Sequence, residues 1–224
     1  MPTVTVWTLA VLGWSLLANL VLGDTGYVPR NLALTAVLVL IGRRSSLSAA
    51  QLGLDGSEVG RGLRWGLLAS AVVAAVVVSG AVLAGAVPML GALLDDARAD
   101  LEGGALVFAI LVRIPLGTAV FEEVLFRGVL LATFLRELRS STAVVASSVV
   151  FGLWHVAPTI VTLQLNDVAP TSGAGLGLIA GAVVVTTVAG LLFNWLRLRS
   201  RSLVAPMLVH WVTNASGLLA AAAT

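Results

Sequence analysis

Seven apolar stretches, separated by short polar segments, divide the chain. A membrane-spanning helix needs about 20 mostly apolar residues, and most of the stretches approach or exceed that length. The predicted spans cover residues 4–22, 28–42, 63–89, 104–135, 142–157, 174–196 and 203–222. The second and fifth are short, so we expect them to be tilted, re-entrant or extended by flanking residues. The pattern predicts an all-α fold, a polytopic transmembrane helical bundle of about seven spans and at most eight.

The composition agrees with a membrane protein. Hydrophobic residues make up 58% of the 224 residues and charged residues only 11%, whereas a soluble domain carries about 25% charged residues. The chain lacks cysteine and lysine, which excludes disulfides, thiolate chemistry and Schiff-base catalysis. The net charge is only +2 and the arginines fall mainly in loops, so we expect no binding of nucleic acid.

The arginines also predict the orientation, because basic residues concentrate in cytoplasmic loops. They follow the second, fourth and sixth spans: Arg43, Arg44, Arg61 and Arg64, then Arg136 and Arg139, then Arg197, Arg199 and Arg201. The loop after the third span is acidic instead, with Asp95, Asp96, Asp100 and Glu102 against Arg98. We therefore expect a multi-pass protein of the plasma membrane with a cytoplasmic N-terminus. Residues 45–62 are expected to form a short cytoplasmic interfacial helix and turn.

Three polar strings interrupt the later spans. They are Glu122-Glu123-x-x-x-Arg127 in the fourth span, Phe151-x-x-x-His155 in the fifth and His210-x-x-x-Asn214 in the seventh. An ionisable side chain at a helix centre costs roughly 2.5–3.5 kcal/mol on insertion scales. Both histidines of the chain lie in these strings. This concentration of costly groups predicts a buried reactive site in the core of the bundle, and hydrolysis is the expected reaction.

The spacing suggests how the groups meet. Glu123 and Arg127 are four residues apart and can pair on one helix face, while Glu122 points about 100° away and is left to activate water. Glu122 and His155 are nearly symmetric about the turn at 137–139, so they should lie at one depth, about 20–25 Å from that turn. His210 is expected nearer the cytoplasmic side, unless a kink at Pro115 or a tilted fifth span brings it level.

Other polar and small residues in the spans have structural interpretations. Arg113 is expected to balance the acidic pair or to extend outward to the interface. Phe151 is expected to pack beside His155. Glycines recur at every fourth residue at the start of the sixth span and predict a close helix-packing face; they are Gly173, Gly177 and Gly181.

The three strings, in this order, resemble the motifs of the CPBP family, which comprises CAAX prenyl proteases and bacteriocin-processing or self-immunity membrane proteins and is also called the ABI family. The resemblance covers roughly residues 115–216. It implies an intramembrane endopeptidase in which Glu122 and His155 activate water. It also implies that His210 and Asn214 form an oxyanion hole, and that Glu123 and Arg127 maintain the site architecture.

The resemblance divides the single integral-membrane domain, residues 1–224, into two parts. Residues 1–100 supply N-terminal spans and the interfacial segment, and residues 104–222 supply the catalytic core. The family's structurally known prenyl protease has eight spans, one more than predicted here. Metal use stays open at this stage: zinc held by Glu122, His155 and His210 is one interpretation, and a metal-free glutamate mechanism is the other.

Two further classes of function remain as alternatives. A catalytically idle scaffold or immunity protein of the same fold would keep its phenotype when Glu122 is neutralised. A proton-coupled transporter would use the glutamate and histidines as a relay, but it predicts repeats that the sequence lacks. The expected partners of the protease are membrane lipids and a peptide or membrane-protein substrate.

Overall fold

The computed structural model of the protein describes residues 3–86 and 97–223. The described residues form eight helices and no strand, which confirms the predicted all-α class. The helices are α1 (Thr3–Leu22), α2 (Tyr27–Arg44), α3 (Ala49–Leu52), α4 (Val59–Ala86), α5 (Gly103–Glu137), α6 (Ser140–Leu165), α7 (Gly173–Ser200) and α8 (Val204–Ala222). The end of the predicted third span, residues 87–89, and the acidic Asp95 and Asp96 lie outside the described residues.

Six of these helices are long and apolar enough to cross a membrane, namely all except α2 and α3. The short fifth span is extended by its flanking residues, because α6 continues to Leu165. Helix α2 has 18 residues but carries three arginines. It nevertheless runs beside α5: Asn31 near its start donates to the Gly117 carbonyl, and Ser45 just beyond its end accepts from Arg136. Seven helices therefore run the length of the bundle, in rough agreement with the predicted span count.

The short helix predicted within residues 45–62 is present at one end of the bundle. Ser48 caps α3 in a reciprocal capping box with Gln51, which satisfies donors at the start of this short helix. Arg197, near the end of α7, donates to the carbonyl oxygens of Ala50 and Gln51 at 3.0 and 2.9 Å. The Leu203 amide donates to the Gly53 carbonyl at 2.9 Å. The arginine-rich ends of α2, α5 and α7 thus gather around α3, as the predicted alternation of loops requires.

Helix α5 forms the centre of the core, and its residues from Phe121 to Ala132 are all buried. Its aromatic and aliphatic side chains pack against α6 and α1. On the outside, apolar side chains such as Leu68 and Val76 are more than 60% exposed. Such exposure is expected when the solvent is lipid, since lipid tails are as apolar as these side chains.

Helix α5 is not regular. Its turns widen to π-helical geometry at Ala109–Ala119 and Val124–Leu130, and the Val120 amide donates to the Pro115 carbonyl five residues earlier. Pro115 has no amide hydrogen and its ring disturbs the regular ladder, which explains the first widened segment. π-helical turns inside α-helices are frequent at functional sites, and these two flank Glu122 and Glu123.

The predicted glycine packing face was wrong. No described atom would lie within 4 Å of a Cβ at Gly173, Gly177 or Gly181. Helix α7 instead approaches α6 closely at Gly152 and Gly190, where a Cβ would meet Thr187 and Ser148 respectively. A four-residue repeat identifies a face of small residues, but it does not say whether that face turns toward the bundle.

Candidate active site

The paired glutamates and the arginine of α5 lie in the core of the bundle. Arg127 Nη1 donates to Glu123 Oε1 at 3.1 Å, and the two side chains are 1% and 0% exposed. The predicted pairing of these two residues is confirmed. Two charges buried this completely are tolerated because they neutralise each other. Glu122 is 7% exposed and takes no part in this pair.

His210 lies between the two glutamates. Its Nδ1 is 2.8 Å from Glu123 Oε1, and its Nε2 is 3.9 Å from Glu122 Oε2. An ionised carboxylate only accepts hydrogen bonds, so Nδ1 carries the hydrogen and donates it to Glu123. The expectation that His210 lies nearer the cytoplasmic side was wrong. A Cβ at Gly128, nine residues before the end of α5, would meet Leu203 at 3.5 Å, so α8 starts deeper in the bundle than its sequence suggests.

His155 lies where α6 changes from one helical segment to the next. The first segment ends at Trp154 and the second begins at Val156. His155 Nδ1 donates to the Phe151 carbonyl at 2.7 Å, and the two rings are 4.6 Å apart. A carbonyl only accepts, so neutral His155 has Nε2 as its free acceptor.

A contact of Trp154, the residue directly before His155, confirms the predicted common depth of Glu122 and His155. The indole Nε1 of Trp154 donates to Glu122 Oε1 at 3.2 Å. This contact joins α5 and α6 at the level of the reactive groups. Sequence reasoning did not single out Trp154, although a tryptophan between Phe151 and His155 on an otherwise apolar helix was a visible signal.

Phe151 does more than pack beside the histidine. Its ring lies 4.0 Å from the guanidinium carbon of Arg127, and the ring of Phe193 on α7 lies 4.9 Å from it. An arginine over an aromatic face gains about 0.5–2 kcal/mol, more when water is excluded. Phe193 also contacts His210, with ring centroids 5.5 Å apart, and was missed because nothing in its sequence context distinguishes it from a lipid-facing residue.

Asn214 is less closely engaged than the other predicted residues. It lies one turn beyond His210 on α8 and is half-buried, and its side chain makes no hydrogen bond within the part of the chain that the structure describes. Its carboxamide is therefore free to donate. The structure brings together Glu122, Glu123, Arg127, Phe151, His155 and His210, and leaves Asn214 at their edge.

Several buried polar atoms of the site have no protein partner among the described residues. They are Glu122 Oε2, Glu123 Oε2, Arg127 Nε and Arg127 Nη2. A buried polar group without a hydrogen bond costs about 1–3 kcal/mol, so these atoms are suited to binding a polar molecule. Glu122 Oε2 is the one that also lies near an imidazole.

The described residues do not form the zinc site that the sequence left open as one of two interpretations. Within residues 3–86 and 97–223, no three histidine or acidic side chains are arranged to hold a metal ion. Zinc sites with three protein ligands need those ligands to converge at about 2 Å from one point. No step of the proposed reaction is therefore assigned to a metal.

Two polar side chains outside the site join separate elements of the bundle. Arg113 forms a two-point ion pair with Asp24 in the α1–α2 loop, at 2.6 and 3.0 Å, and so extends outward and does not balance the acidic pair. Asn194 on α7 is buried and donates to the hydroxyls of Ser147 and Ser148 on α6 at 2.9 and 3.0 Å. An asparagine in an apolar span, opposite a serine pair, was the signal for this contact.

The geometry defines a class of protein: a membrane-embedded helical bundle with a buried carboxylate–imidazole site of the kind that hydrolases use. The sequence model of the family described as type II CAAX prenyl endopeptidase Rce1-like matches residues 104–216, or 113 of the 224 residues. The chain belongs to this family. The match runs from α5 into α8 and includes all three strings. No curated protein and no solved structure matches the chain significantly.

Family membership gives the broad activity. The chain is a multi-pass membrane protein and an endopeptidase of the CAAX type.

Proposed function

We propose that the protein hydrolyses a peptide bond of a membrane-bound substrate, with Glu122 as the general base. The observation that carries this proposal is Glu122 Oε2, which is buried, has no protein hydrogen-bond partner among the described residues and lies 3.9 Å from His210 Nε2. A water molecule at about 2.8 Å from both atoms would subtend close to a right angle of ~90°, which is accessible to hydrogen bonds. Such a water would face an acceptor that can remove its proton.

In the proposed reaction, Glu122 takes a proton from the water while the water oxygen attacks the carbonyl carbon. The carbonyl oxygen becomes an oxyanion, which needs hydrogen-bond donors. The tetrahedral intermediate then collapses, the C–N bond breaks, and the proton held by Glu122 passes to the departing amine. His155, with Nδ1 committed to the Phe151 carbonyl, offers Nε2 as a second acceptor for the water.

His210 and Asn214 are the proposed donors to the oxyanion. Neutral His210 keeps its one hydrogen on Nδ1, facing Glu123, so Nε2 becomes a donor only when a second proton binds. The proposed donor role therefore requires a hydrogen on Nε2 when the oxyanion forms, while Nδ1 stays bound to Glu123 Oε1 at 2.8 Å.

We also propose the orientation of the protein in the membrane and the class of its substrate. The arginine-rich loops meet around α3 at one end of the bundle, which supports a cytoplasmic location for that end and for the N-terminus. The plasma membrane is the proposed location. The substrate is a peptide or membrane protein whose scissile bond reaches the depth of Glu122. The prenylated CAAX end named for the family is one candidate substrate.

The test compares new protein N-termini in cells that express the native chain or Glu122→Gln at matched levels. Glu137→Gln is the matched control, because it makes the same chemical change at an exposed position of the same helix. N-termini present with the native chain and the control but absent with Glu122→Gln are the expected result. Equal sets of N-termini from all three, with all three folded in the membrane, would refute the proposal and favour an idle scaffold.

A further inference from the structure

Trp154 approaches the proposed base from a second helix. Its indole Nε1 donates to Glu122 Oε1 at 3.2 Å, and the two residues are 4% and 7% exposed. The indole is the only protein group within the described residues that donates a hydrogen bond to this carboxylate. The contact therefore determines how the carboxylate is held.

A carboxylate offers two oxygens, and the structure treats those of Glu122 differently. Oε1 accepts from the indole, while Oε2 has no protein partner among the described residues and is the oxygen near His210 Nε2. Indole nitrogen is a donor only and cannot take a proton. The hydrogen bond thus fixes the rotation of the carboxylate and leaves Oε2 as the oxygen that can accept a proton from water.

The indole is itself held in place by two other helices. Its ring packs edge-on against Phe126 at 5.5 Å and tilted against Phe121 at 6.1 Å, both on α5. The Trp154 carbonyl accepts a hydrogen bond from the Ser15 hydroxyl of α1 at 2.7 Å. A side chain fixed by packing and by a backbone anchor can position its partner to within the few tenths of an ångström that catalysis requires.

We propose that Trp154 is a positioning residue that orients the carboxylate of Glu122 so that Oε2 faces the reacting water. The proposal rests on the proposed function, since it assigns a purpose to the same carboxylate. Trp154 touches neither water nor substrate in this role and acts through Glu122. Loss of such a positioning contact costs roughly 10- to 100-fold in rate.

The first measurement is the NMR spectrum of the indole N–H groups in the purified full chain, labelled with ¹⁵N-tryptophan in detergent micelles. Trp154→Phe and Trp211→Phe assign two of the resonances. The Trp154 resonance is expected to move in Glu122→Gln, because its acceptor loses its charge. The Trp211 resonance is expected to stay, because that indole donates to the Ile110 carbonyl at 2.8 Å. A Trp154 resonance whose chemical shift is unchanged in Glu122→Gln would overturn the proposal.

The second measurement is the yield of new N-termini in cells. Trp154→Phe keeps an aromatic ring but removes the donor, and Trp211→Phe removes an indole hydrogen bond of similar length that touches no carboxylate. We expect about 10- to 100-fold less cleavage from Trp154→Phe and native cleavage from Trp211→Phe at equal protein levels. Equal loss in both variants would mean a structural role only and would overturn the positioning role.

The two proposals fail in different ways. If Glu122→Gln retains native cleavage, or the native chain cleaves nothing, the proposed function fails and the positioning role falls with it. If Glu122→Gln abolishes cleavage while Trp154→Phe cleaves like the native chain, only the positioning role is wrong.

Discussion

Replacing Arg127 with methionine should destabilise the protein strongly. Methionine keeps most of the volume and removes the charge, so Glu123 remains as a fully buried carboxylate with His210 as its one hydrogen-bonding partner among the described residues. Removing one partner of a buried ion pair lowers the free energy of unfolding by about 3–5 kcal/mol. For a chain of this size each kcal/mol lowers Tm by about 2–4 °C, so the expected fall is roughly 6–20 °C.

The assay is thermal unfolding of the purified chain in detergent micelles, followed by the fluorescence of its six tryptophans. Arg113→Met is the control, because it breaks a two-point pair on the same helix whose partner Asp24 is 72% exposed. Exposed pairs contribute about 0–1 kcal/mol, so this variant should lose a few degrees at most.

A double-mutant cycle then separates the ion pair from simple loss of packing. Glu123→Gln combined with Arg127→Met leaves no unpaired charge between the two residues, so the double variant should be more stable than the sum of the single changes predicts. The coupling should fall within the range of about 0.5–3 kcal/mol seen for residues in contact, toward its upper end. Strict additivity, or a fall no larger than that of Arg113→Met, would refute the reasoning.

Two further predictions concern packing and pH. In Gly152→Ala, the new methyl group would meet Thr187 and lie 2.7 Å from the Val183 carbonyl oxygen, so α6 and α7 must separate and Tm should fall by the equivalent of about 1–3 kcal/mol. Gly181→Ala has nothing within 4 Å among the described atoms and should leave Tm unchanged; equal effects would contradict the described packing of α7. Hydrogen bonds from the hydroxyl and amide of Ser57 lower the pKa of Asp55. The ionised carboxylate therefore stabilises the fold above its unfolded-state pKa of about 3.9, and this stabilisation is lost as the pH falls through the lower folded-state pKa. The Tm difference between the native chain and Asp55→Ala should therefore shrink below pH ~4, and a difference that is constant with pH would argue against the contact.

Local rules predicted those parts of the site that depend on spacing along one helix. The Glu123–Arg127 pair followed from a separation of four residues, and it is present at 3.1 Å. The shared depth of Glu122 and His155 followed from the symmetry of two helices about a short turn, and the Trp154 contact confirms it. Both inferences need only the rise of a helix and the antiparallel arrangement of neighbours.

Inferences that needed the relation between distant helices failed. His210 was placed too close to the arginine-rich end of the bundle, because the sequence does not show that Leu203, just before α8, lies beside Gly128 of α5. The glycine repeat of α7 was assigned to the wrong face, because every face of a membrane helix is apolar and periodicity cannot tell protein from lipid. The sequence left the role of Arg113 open, and the structure shows that it pairs with Asp24, 89 residues away.

The sequence by itself determined the all-α membrane class, the approximate number of spans, the alternation of loops and the three polar strings whose side chains meet in the core. Each of these follows from composition or from spacing within one helix. The polar strings stand out because a charged side chain is costly to bury in an apolar span. Only the tertiary structure decided the orientation of His210 between two glutamates, the aromatic faces around Arg127 and the indole that holds Glu122. Those contacts join helices far apart in the chain, and they depend on helix rotation and depth, which uniformly apolar surfaces leave unspecified until the helices pack.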